Sequence, residues 1–130
     1  MIKDLRIYVV IILLLMSVID LSATYFYIYK YKKWQPNKPY NLMERNPLLV
    51  FLLNNFGLHL GMFIGSVIIL TLIYIVGKSA NPIVVFLLFV FLCIALYNHY
   101  NNISLLFKLI EKYPTGHLPE SLFGKVVGNN

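Results

Sequence analysis

Apolar residues fall into three long runs along the chain, and the polar residues that interrupt or follow them mark the element boundaries. The first run starts near Ile7 and continues as VVIILLLMSVIDLSATYFYIY to about Tyr29. About 20 consecutive apolar residues suffice for a helix to cross a hydrocarbon core, so this run reads as a spanning helix over about residues 7–29. It is longer than the apolar core of a secretory leader, about 7–15 residues, and Leu21 and Ala23 around Ser22 fit a cleavage site poorly. It is therefore expected to remain as a span.

The second run begins after Pro47 and breaks early. Residues 48–53 are apolar, Asn54-Asn55-Phe56-Gly57 interrupts them, and LHLGMFIGSVIILTLIYIV resumes the run to Val76. One straight helix from Pro47 to Gly77 would be about 46 Å long, well beyond a hydrocarbon core of about 30 Å. The pattern predicts a short interfacial or re-entrant helix over about 47–55 and a second span over about 57–77. Asn46 as N-cap and Pro47 at the first helical position supply its start. The third run opens with the same signal, Asn81-Pro82, and stays apolar to Tyr97. Its helical pattern continues through NHYNNISLLFKLIEKY and stops before Pro114 and Gly116. That stretch is too polar for lipid, so the third span is placed at about 82–101, within a helical bundle occupying residues 1–113. Residues 114–130 are expected to form a loosely ordered tail.

The predicted fold class is thus all-α: an integral membrane bundle of three spanning helices plus a short interfacial or re-entrant helix. Composition agrees, with 59% hydrophobic residues, 12% charged residues and a mean hydropathy of +0.73. A soluble domain carries roughly a quarter charged residues. The formal net charge of +6 does not imply nucleic acid, because the lysines flank apolar runs and do not line a basic face. Membrane lipid headgroups are the expected anionic partner. Lys30, Lys32, Lys33, Lys38, Arg45, Lys108, Lys112 and Lys125 fall at one end of the bundle, and Lys3, Arg6 and Lys78 at the other. The positive-inside rule then places the C-terminus in the cytoplasm and the N-terminus outside a cell membrane. Cys93, the sole cysteine, excludes an internal disulfide and is expected to pack as a small hydrophobe.

Asp20 is the feature that asks for a function. A carboxylate inside an apolar span is costly and needs a partner or a task. Thr24 lies four residues on, with Ser17 and Tyr27 extending the same helix face. Three spans bring to that end Glu44 and Asn46 from the first loop, His59 from the second span, and Asn98, His99, Asn101 and Asn102 from the third. In the second span Gly57, Gly61 and Gly65 recur every four residues and open a groove for close backbone approach, inside the bundle or between two copies. His59 and Ser66 lie off that row and face a different neighbour or a cavity.

The motif Asp20-x3-Thr24, then Glu44-x-Asn46-Pro47-Leu48 before a second span and an asparagine late in a third, resembles a group of small archaeal and bacterial polytopic membrane proteins of unknown function. The resemblance covers roughly residues 17–102. It implies a membrane fold and functional weight for Asp20, Glu44 and Asn46.

One reading of these residues is a metal site: Asp20, Glu44, His59 and His99 offer two carboxylates and two imidazoles suited to a divalent ion such as zinc. With water at an open position such a site hydrolyses a membrane-borne bond. Asp20, Glu44 and His59 are the candidate catalytic groups, and Thr24, Asn46, Asn98 and Asn102 the residues that orient them. The structural reading beside it pairs Asp20 with Thr24 and a tyrosine, hydrogen-bonds His59 at headgroup level, leaves His99 reaching out at a helix exit and makes Glu44 and Arg45 a solvated loop pair. Neither an H-E-x-x-H motif nor a nucleophile elbow is present. The alternative class is a non-catalytic accessory subunit of a larger membrane complex or a small oligomeric transporter. The ten tyrosines and nine phenylalanines then serve as an interfacial belt or a docking surface.

Overall fold

A computed structural model describes residues 2–117 as helix α1 (Ile2–Trp34), a short 3₁₀ turn (Tyr40–Leu42), helix α2 (Pro47–Ser79) and helix α3 (Pro82–Lys112). All three helices are long and apolar enough to cross a membrane. The two predicted starts hold: Asn46 Oδ1 accepts from the Leu48 amide at 3.0 Å and Asn81 Oδ1 from the Ile83 amide at 2.9 Å, each with proline at the first helical position. These caps satisfy donors that the helix itself cannot. Residues 118–130, including Lys125 and most of the expected tail, lie outside the described residues.

Helix α1 is the central element. α2 runs back along it, with Arg6 Nη1 donating to the Gly77 carbonyl at 3.0 Å near one end and the Tyr25 hydroxyl meeting His59 Nδ1 at 2.7 Å toward the other. α3 runs parallel to it, since the Phe26 and Phe107 rings stand 5.8 Å apart and Trp34 Nε1 donates to the Tyr113 carbonyl at 2.7 Å. Gln35 extends this tie through its side-chain amide to the Gly116 carbonyl. α2 and α3 barely touch each other, which leaves a cleft along α1 between them.

Helix α2 is not one straight rod. Gly57 leaves the helical region (φ 81°, ψ 178°), a conformation nearly confined to glycine. The backbone reverses there, so residues 47–56 lie back against the start of the long second limb. The Leu52 carbonyl oxygen sits so near Gly61 that an added Cβ would come within 2.8 Å of it, and the Leu49 side chain covers Gly65. The four-residue glycine spacing is thus used inside the chain, by the chain's own preceding segment. Gly77 plays a similar part against Val10 and Leu13 of α1.

Two apolar clusters hold the elements together. One joins Leu21, Ile28, Tyr31 and Trp34 of α1 to Met43, Leu49, Leu53, Met62 and Leu106; the other joins Leu13 to Ile73, Val85 and Leu92. The outward faces stay apolar and exposed, most of all on α3, where only 11% of the most apolar window is buried. Cys93 is on that exposed face, so the expected packing role is corrected: the helix turns it away from the core.

Candidate functional site

The cleft between α2 and α3 has a volume of about 820 Å³. Helical spacing decides its lining. Ser17, Asp20, Thr24 and Tyr27 repeat every three or four residues on α1, and Leu88, Phe91, Leu92, Ala95, Asn98, His99 and Asn102 do so on α3. The loop before α2 contributes Glu44, Arg45 and Asn46, and the second limb of α2 contributes Ile69 and Ile73. Along α3 the wall is apolar from Leu88 to Ala95, polar from Asn98 to Asn102, and apolar again at Leu105, Leu106 and Leu109. The polar belt is therefore flanked by apolar surface on both sides.

At the belt, α1 and α3 touch through their polar side chains. Asp20 Oδ1 lies 2.8 Å from His99 Nε2, and each side chain is 22% exposed. Thr24 Oγ1 lies 3.0 Å from the same nitrogen while donating its own proton to the Asp20 carbonyl at 2.9 Å. Because the Thr24 proton is engaged there, Nε2 is the donor toward Thr24. The close approach of Asp20 Oδ1 is electrostatic, for this buried oxygen has no aligned hydrogen-bond donor. His99 thus turns inward to a carboxylate, contrary to the expectation that it reaches out at a helix exit. Asp20 takes neither the Thr24 hydroxyl proton nor a tyrosine on its side chain.

Glu44 is half-buried at the cleft wall, not simply solvated. Its Oε1 accepts from the Arg45 and Asn46 amides, both at 2.9 Å, and so folds the turn that leads into the Asn46 cap. Ser17 is buried and donates to the Leu13 carbonyl at 2.7 Å.

His59 stands apart from this group. It lines a shallower groove of about 460 Å³ between α1 and α2, together with Tyr25, Ser22 and Ser66, and its bond to the Tyr25 hydroxyl holds it there. Among the described residues no three of histidine, cysteine, aspartate and glutamate gather closely enough to hold a metal ion. Of the four candidate ligands the structure pairs Asp20 with His99, sets Glu44 on the same cleft and separates His59. Asn46, Asn98 and Asn102 line the cleft as well, with Asn46 spent on its cap.

Sequence reasoning missed two elements of the site: the place of Arg45 in the cleft, since the sequence reading makes it only a solvated partner of Glu44, and the apolar half of the lining. The second had a signal, because Leu88, Leu92, Ala95, His99 and Asn102 fall on one helix stripe whose character changes midway. No protein-family model, curated protein or solved structure matches the chain.

Proposed function

We propose that this chain is a multi-pass protein of the cell membrane whose cleft holds a membrane-borne amphiphile, with its head at the polar belt and its tail along Ile73, Leu88, Phe91 and Leu92. One observation carries this reading: a cleft of about 820 Å³ changes from apolar to polar along a single face of α3. Pockets of roughly 300–1,000 Å³ with a few placed polar groups suit small ligands, and a divided lining suits a divided molecule.

In this reading Asp20 lies within the bilayer, where its cost is offset by His99 and by the polar belt. Residues 47–56 form a re-entrant helix. The loop ahead of them lines the same cleft as Ser17 and Asp20, and irregular backbone at membrane depth is tolerated where it lines a cavity. α1, at 33 residues and about 50 Å, outruns the hydrocarbon core, so its lysine-rich end emerges into the aqueous phase. That end carries the excess of basic residues and faces the cytoplasm, with the N-terminus outside.

The test is mass spectrometry of the protein purified in mild detergent. Wild type carries about one tightly held amphiphile, and Ala95→Phe, which fills the cleft, loses it. Phe86→Trp, on the exposed outer face, keeps it. Equal retention by wild type and a folded Ala95→Phe would sink the reading.

A further inference from the structure

Four features of the polar belt specify the head group, given the amphiphile reading above, on which this step rests. His99 Nε2 is taken up by Thr24 and Asp20, while Nδ1 has no hydrogen-bond partner among the described residues; with the ring hydrogen on Nε2, Nδ1 is left as an acceptor on a side chain that lines the cleft. Asp20 Oδ1 is buried without an aligned donor. Glu44 turns one oxygen to the loop amides, and its charge remains at the cleft wall. Among the described residues Arg45 is the sole cationic side chain of the lining, and it is exposed.

Two carboxylates and an imidazole acceptor in one apolar-walled cleft favour a cation that donates hydrogen bonds. They repel a phosphate, sulfate or carboxylate. Such attraction grows in a medium of lower dielectric than water, whereas a neutral hydroxyl would gain none of it. We infer that the head group is a primary ammonium, which donates to His99 Nδ1 and is held by the charges of Asp20 and Glu44. A compact ammonium is a point charge with three donors, which suits an acceptor on α3 and the carboxylates that α1 and the loop bring to the same cleft. The apolar stripe from Leu88 to Ala95 takes its hydrocarbon tail.

The experiment compares three 12-carbon probes, dodecylamine, dodecanol and dodecyl sulfate, against delipidated protein, reading one-to-one adducts by native mass spectrometry and the rise in Tm. Dodecylamine is expected to bind at least about tenfold more tightly than the other two. His99→Gln and Asp20→Asn each remove about tenfold of that affinity without affecting dodecanol. Should Asp20→Asn fail to fold, Glu44→Gln gives the same readout with a smaller loss. Dodecyl sulfate or dodecanol binding as tightly as the amine, or an amine affinity indifferent to all three substitutions, overturns the head-group assignment while leaving the cleft an amphiphile site. Binding of none of the probes would instead remove the amphiphile reading on which the assignment rests.

Discussion

His99 Nε2 approaches Asp20 Oδ1 to 2.8 Å and Thr24 Oγ1 to 3.0 Å, so a single ring nitrogen from α3 meets two polar side chains one turn apart on α1. Since Thr24 donates its own proton to the Asp20 carbonyl, this nitrogen must carry the hydrogen. In nitrogen NMR of histidine-labelled protein, neutral His99 is expected as the Nε2–H tautomer, identified by loss of its signals in His99→Gln. Finding hydrogen on Nδ1 instead would reverse the bonding assigned here.

The same contact should be measurable as stability. Removing His99 leaves a largely buried carboxylate with no counterpart, whereas replacing Asp20 as well leaves no unpaired carboxylate behind. A double-mutant cycle with Asp20→Asn and His99→Ala is expected to show a favourable coupling of about 1–3 kcal/mol, and His99→Ala alone to be the least stable variant. Additive effects in reversible unfolding would show that the two side chains do not interact.

The reversal at Gly57 predicts a ranking of glycine replacements. Gly57→Ala meets no neighbour but must hold a backbone angle that L side chains avoid, at a cost of about 1–3 kcal/mol. Gly61→Ala drives its Cβ onto the Leu52 backbone, which cannot step aside, with a cost of the same order. Gly65→Ala presses only on the flexible Leu49 side chain and should cost least. Thermal unfolding of the three variants gives the order, and a Gly65 variant weaker than Gly61 would contradict the packing of residues 47–56 on the second limb.

Cys93 makes topology measurable without engineering a background, because it is the sole cysteine and lies on the outer face of α3. In intact membranes it is expected to resist water-soluble maleimides, since lipid covers that face, and to react once the protein is unfolded in detergent. In a Cys93→Ser chain, Asn37→Cys should label from the cytoplasmic side and Lys78→Cys from outside. Rapid labelling of Cys93 in membranes would mean that α3 faces water there, and exchanged sides for the two new cysteines would invert the orientation.

The chain's own order of residues determined its helices, because long apolar runs, an asparagine and proline at two helix starts, and a glycine after two asparagines are local signals. Asp20, Thr24, Ser17 and Tyr27 were likewise legible as one face, since helical spacing requires no partner to be known. The early break in the second run could be read too, because excess length and Gly57 both pointed to it. That residues 47–56 fold back on Gly61 and Gly65 was legible only as a groove awaiting some backbone, and tertiary packing supplied Leu52 and Leu49.

Partner choice across helices was decided by the fold alone. His59 and His99 look alike in sequence, each a lone histidine close to one end of a predicted span. Rotation of α2 about its axis sends His59 to Tyr25, while the parallel register of α3 on α1 sends His99 to Asp20. A rotation or a register shift of one residue exchanges the faces that meet, and no local pattern encodes it. The cleft has the same origin: α2 and α3 both pack on α1 and hardly on each other, so the space between them exists only once three helices are assembled.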